Sequence, residues 1–120
     1  MKIAISATGS DLKAQVDARF GRASYFLLVD PESMEYEVLM NGENLLAAQG
    51  AGIQAAALVA RHRPAAVLTG NCGPKAFQTL EAAGIRVIVG VEGTVREAVE
   101  NYRAGKLNPA SGPNVNSHWQ

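Results

Sequence analysis

At 120 residues and 48% apolar content, the chain has the size and composition of one domain with a packed core, which excludes wholesale disorder. Its eleven basic and eleven acidic residues cancel, so no nucleic-acid partner and no anionic membrane surface is expected. A single cysteine, Cys72, excludes an internal disulfide and fits a reducing, cytoplasmic setting.

The opening MKIAISATGS is apolar for too few residues to make a signal peptide or a membrane span. KIAIS, Lys2 to Ser6, reads as a first strand closed by the polar turn Thr8-Gly9-Ser10. A long polar loop follows, ending in QVDARFGRAS. YFLLVD, Tyr25 to Asp30, is apolar on both faces and predicts a central strand. After the turn PES, the segment Glu35 to Asn41 alternates in character: Glu35, Glu37 and Leu39 point one way, Tyr36, Val38 and Met40 the other. That pattern predicts a half-exposed edge strand, hairpinned to the one before it.

From about Ala47 the pattern turns helical, with an apolar stripe through Ile53, Ala56, Ala57, Val59 and Ala60 and a stop at Pro64. AAVLTG then predicts a buried strand. GPKAFQTLEAAG is a short helix with Pro74 in its first turn and Gly84 at its end. IRVIVG is another buried strand, and TVREAVENYRAG a third helix. Thr94 and Glu97 have capping-box spacing there, and Gly105 closes the helix. The last fifteen residues lack periodicity and contain two prolines, which reads as a loose tail.

Strand, hairpin, then alternating helix and strand predict an α/β fold with helices on both faces of a mixed five-stranded sheet. With the third strand outermost, the order is 3-2-1-4-5 and strand 2 is antiparallel. The topological switch point then lies between strands 1 and 4, and ligands of open α/β sheets bind beyond the carboxyl ends of strands at such a point. Ser6 to Ser10 and Thr69 to Gly73 lie there.

Cys72 stands between Asn71 and Gly73, just before a helix. A helix N-terminus favours a thiolate, and a thiolate is the soft ligand that iron–sulfur species prefer. The alternative is a small buried apolar side chain. Arg19 and Arg22 flank Phe20-Gly21 and can clamp an anion; alternatively, Asp17 pairs with an arginine and Phe20 fills the core. His62, beside Arg61 and Arg63 at a helix end, reads as surface structure, whereas His118 in the tail can fold over a bound metal species. No zinc-site spacing, phosphate loop or nucleophile–base pair occurs, so no hydrolytic chemistry is expected.

DARFGRASYFLLVD, GAGIQAAALVA, AVLTGNCGPKAFQTLEAAGIRVIVG and GTVREAVENYRAGKL together resemble the dinitrogenase iron–molybdenum cofactor biosynthesis family. The resemblance runs from Met1 to about Leu107 and leaves residues 108–120 as a tail whose PNVNSHW is similar to endings of free-standing members. It implies a ribonuclease H-like fold and a non-enzymatic carrier of an iron–sulfur or iron–molybdenum-type cluster, handed between cofactor-assembly proteins by a monomer or homodimer. The cofactor-facing residues expected on that reading are Ser6, Thr8, Arg19, Phe20, Arg22, Asn71, Cys72 and Gly73, with Cys72 and His118 as metal ligands. Some members have a His-Gly pair where this chain has Gln49-Gly50. The first strand has no aspartate, so ribonuclease activity is not expected despite the fold. A small-molecule or anion sensor using the same cleft, and an interaction domain using the hairpin edge, are the other readings.

Overall fold

The computed structural model describes residues 1–42 and 50–114. Within them the strands are β1 (Ile3–Ala7), β2 (Tyr25–Val29), β3 (Tyr36–Met40), β4 (Ala66–Leu68) and β5 (Arg86–Ile88). The helices are α1 (Ala51–Ala60), α2 (Pro74–Ala82) and α3 (Val95–Arg103). The sheet order is β3-β2-β1-β4-β5. β1 pairs with β4, and β4 with β5, in parallel, while β2 runs antiparallel to both β1 and β3. Order and directions are those read from the sequence.

Alternation along the strands builds two cores. Ala4, Phe26, Leu28, Leu39, Val67 and Val87 pack with α1 and α2. Ile3, Ile5, Leu27, Val29, Leu68 and Ile88 face the other way, with Val95, Ala98 and Val99 of α3. The result is three layers, α/β/α. Every residue of β1 is buried, which explains why KIAIS shows no polar alternation. β3 differs: Leu39 is buried, whereas Tyr36, Val38 and Met40 lie exposed on the α3 side, beyond the reach of that single helix.

The helix ends follow local chemistry. α1 begins at Ala51 within the described residues; the expected start near Ala47 lies outside them. It stops before Pro64, which disfavours helical geometry at the residue preceding it; Arg63 there takes a φ of 50°. Past α2, Gly84 adopts a φ of 78°, its N–H donates to Glu81, and the Ile85 N–H donates to Leu80, forming a Schellman motif. α3 has its capping box: the Thr94 hydroxyl accepts from the Glu97 N–H, and the Glu97 carboxylate accepts from the Thr94 N–H. The Thr94 N–H, and after it the Thr94 hydroxyl, bond the Glu97 carboxylate and hold it below its ordinary value. Thr94→Ala is expected to cost about 1 kcal/mol in urea denaturation at neutral pH. Because the folded pKa of Glu97 is depressed, its share of the box is complete above the unfolded value and is lost as pH falls through the folded one. Equal midpoints for Thr94→Ala and the native chain at neutral pH would show that the box contributes nothing.

Candidate functional site

The carboxyl ends of β1 and β4 diverge at the switch point, as expected, but the chain itself fills the gap. Segment 15–20 crosses it in extended form, bridging Ala7 to Val16, Gln15 to Thr94 and Arg19 to Asn71. The Asp17 N–H donates to the Ser6 carbonyl at 2.8 Å, and the Phe20 N–H to the Asn71 carbonyl at 3.1 Å. The Ser6 hydroxyl donates to the Asp17 carbonyl and accepts from the Thr69 hydroxyl 2.8 Å away. Ser6 and Thr69 are wholly buried. Ser6 therefore holds the loop to the sheet, with its hydroxyl turned to these neighbours. Buried hydroxyls need such partners, and only tertiary structure supplies them here.

Phe20 takes the alternative place read for it, in the core. It is 1% exposed and packs against Phe26 with ring centroids 5.0 Å apart. Asp17 accepts from the Arg19 backbone N–H at 3.0 Å, tightening the turn. Arg19 is exposed and Arg22 half-buried with bonding of its own. Thr8 is exposed; its hydroxyl donates to the Gln15 carbonyl.

Of the two readings of Cys72, a thiolate ligand and a small buried side chain, the placement of the side chain matches the second. Cys72 is 1% exposed, and its side chain joins the core cluster beneath α1 and α2. Its thiol lies 3.7 Å from the Gly73 carbonyl, as donor. Gly73 is the N-cap of α2 and is itself buried, not an open approach to the sulfur. Burial pushes the thiol up to about 12, the reverse of the lowering expected from the helix N-terminus. Removal from water disfavours the charged form by more than the helix end favours it.

Above Cys72 lies the end of the described chain. The Ala110 N–H donates to the Val87 carbonyl at 2.7 Å, and Ala110 packs on the core. Asn114 then closes over the TGNCG turn. Its Oδ1 accepts from the Cys72 N–H at 2.8 Å, its N–H donates to the Cys72 carbonyl at 3.2 Å, and its Nδ2 donates to Asn71 Oδ1 at 2.9 Å and to the Gly70 carbonyl at 3.4 Å. Asn71 in turn donates to the Ala18 carbonyl. Residues 108–114 are thus a strap tied to the sheet, not a loose tail. The Asn71 side chain is the knot between strap and loop. Sequence reasoning missed Asn114; the nearest signal was the PNVNSHW ending itself. His118, proposed as a second ligand, and Gln49 lie outside the described residues.

Hollows lie among the described residues, one of them beside this assembly. One, of about 340 Å³, is bounded by Gln15, Ala18, Asn71, Gly90, Glu92 and Gly93. Its lining has an acid and no arginine or lysine, which ill suits an anion. The other, about 540 Å³, lies between β3 and α1 against Met40, Asn41, Leu58 and Arg61, away from the switch point. Among the described residues, no three His, Cys, Asp or Glu side chains gather as a metal site. No described helix is long and apolar enough to cross a membrane.

Residues 1–105, which contain the strand order, the plugged switch point and the TGNCGP turn, match the family described as dinitrogenase iron-molybdenum cofactor. The chain belongs to this family. The apo form of the orange protein from Desulfovibrio gigas is similar in structure, with a TM-score of 0.92 and 45% identity over 95% of this chain and 96% of that one. A Thermotoga protein provisionally named NifB, solved by NMR, gives a TM-score of 0.80 at 33% identity over 95% and 97% of the two chains. An uncharacterised Methanocaldococcus jannaschii protein is 29% identical over 109 residues, 89% of each chain. Family membership agrees with the resemblance read from the RFGRA and TGNCGPKAF motifs.

Proposed function

We propose that this chain is a non-enzymatic carrier for a preassembled metallocluster of iron–sulfur or iron–molybdenum type, taken as cargo and passed to another cofactor-assembly protein. The observation that carries this reading is the placement of the only thiol. Cys72 lies at the carboxyl end of β4, under a strap whose Asn114 hydrogen bonds to Gly70, Asn71 and Cys72. Lifting that strap uncovers one soft ligand without unpicking the sheet. The family's name and the apo state of the orange protein's structure support a bound form of this kind. Since the described residues supply no set of three ligands, the cargo brings its own sulfides and the protein adds one thiolate. Arg19 is exposed and bridges by its backbone to Asn71 of the turn, and it and Arg22 are assigned to balance the cluster's charge. His118 is assigned as the second ligand. A hold of this weakness suits delivery better than storage.

The test is anaerobic incubation with preformed iron–sulfur cluster or tetrathiomolybdate plus iron, followed by gel filtration and assay of metal and sulfide per chain. Retention of both by the native chain, and a clear loss in Cys72→Ala, is expected. A native chain that elutes free of metal and sulfide would overturn the carrier reading. Retention that is unchanged in Cys72→Ala would leave carriage standing and remove the thiolate from it.

A further inference from the structure

Among the described residues, no strand pairs with the outer edge of β3. Natural edge strands carry charges, proline or a bulge that prevent pairing. The segment YEVLM has no proline or bulge and one charge, Glu37, and its five residues pair with β2 in unbroken register. Tyr36 is 41% exposed, Val38 36% and Met40 76%.

The hydrogen-bond phase of that edge is set by its inner pairing. The Asn41 N–H donates to the Ser24 carbonyl and the Asp30 N–H to the Glu35 carbonyl. Antiparallel ladders alternate, so Glu35, Glu37, Leu39 and Asn41 bond inward to β2. Tyr36, Val38 and Met40 therefore aim their N–H and carbonyl groups outward. The same three residues place their side chains in one apolar row on the α3 side, continuing the rows Val29, Leu27 and Tyr25.

A second copy fits this edge about a two-fold axis. Of the antiparallel registers that respect the outward phase, those centred on Glu37, Val38 and Leu39 overlap the strands most. Centring on Glu37 sets two glutamates directly opposite, which is destabilising. Centring on Leu39 carries Tyr36 past the end of the strand to Gly42. Centring on Val38 pairs Tyr36 with the partner's Met40 and Val38 with the partner's Val38, so all three outward residues bond. Glu37 then faces the partner's Leu39, with its own carboxylate 3.9 Å from His62 on the α1 side. Charge disfavours the Glu37-centred register and strand length the Leu39-centred one, which leaves this one.

We propose that β3 is a self-association edge, pairing with β3 of a second copy antiparallel about a two-fold axis at Val38, so that two sheets run into one. This goes beyond cluster carriage and does not depend on it. Five-residue edges bury little area, so the association is weak and concentration-dependent.

The test uses the full chain in sedimentation equilibrium from micromolar to millimolar concentration. The native chain is expected to shift from monomer to dimer. Val38→Glu and Val38→Lys each set like charges across the axis and are expected to weaken the dimer at least tenfold. An equimolar mixture of the two variants sets opposite charges at the axis and is expected to restore it. Position 38 is at the surface, so circular dichroism of both variants should match the native chain. A native chain that stays monomeric throughout overturns the proposal, even if its β3 edge captures a strand of another protein. A dimer that neither variant weakens, or a mixture that fails to recover, overturns it too.

Discussion

Gly70→Ala is expected to destabilise the fold by about 3 kcal/mol, the upper end for overpacking a tight contact. A Cβ at Gly70 would lie 2.7 Å from Ala18 Cα and 2.8 Å from the Ala18 carbonyl oxygen. Both are backbone atoms and neither can rotate away. The strand of loop laid across the switch point must then lift, breaking the bonds from Phe20 to Asn71 and from Asn71 to Ala18. Phe20, anchored in the core by that loop, is pulled with it. Gly112 is the control: nothing lies within 4 Å of its added Cβ. Gly112→Ala is expected to be neutral or to stabilise by a few tenths of a kcal/mol, through the unfolded chain. Urea denaturation of both variants checks this, and equal midpoints would show that the loop does not depend on close approach at Gly70.

Cys72 in the folded chain is expected to react with iodoacetamide about a thousandfold more slowly at neutral pH than in the unfolded chain. Its thiol is held up at about 12 against an ordinary 9.0, and each unit is a tenfold change in thiolate fraction. Reaction then proceeds through opening of the strap. Asn114→Ala removes the three side-chain hydrogen bonds that Asn114 makes to Cys72, Asn71 and Gly70. At roughly 0.5–1.5 kcal/mol for each partly exposed bond, alkylation is expected to accelerate about tenfold or more while the fold persists. An unchanged rate in folded Asn114→Ala would remove the strap as the gate. The same shift acts on stability. Between about pH 9 and 12 the folded state keeps a proton that the unfolded state has lost, so stability falls as pH rises through that window. Cys72→Ala is expected to flatten that alkaline slope, as read by denaturation at a series of pH values.

The architecture was legible in the sequence because its signals are local. The apolar runs at KIAIS, YFLLVD, AAVLTG and IRVIVG, the Pro74–Gly84 and Thr94–Gly105 punctuation, and the β-hairpin before two strand–helix units leave few topologies open. Direction, order and layer number all follow from those elements and the right-handed crossover. The two motifs that mark the family are contiguous, so they too could be read without coordinates.

The candidate site was only partly legible, because its residues act across long sequence separations. Cys72 packs in the core with residues of α1 and α2, and its backbone is bonded by Asn114, forty-two residues away, in a strap tied to Val87 at Ala110. Whether Ser6 meets a ligand or a neighbour depends on Asp17 and Thr69. Composition could not reveal which apolar face of β3 is covered: one helix spans the α3 side, and its width ends before Tyr36, Val38 and Met40. The sequence by itself determined the strands, the ends of α2 and α3, the sheet order and the family. Tertiary structure alone decided that the switch point is closed by the chain's own loop, that the single thiol is buried and protonated, and that the apolar row of the edge strand is left in water. The physical reason is that periodicity and capping involve neighbours a few residues apart, whereas burial and hydrogen-bond satisfaction depend on which distant segments the folded chain brings over them.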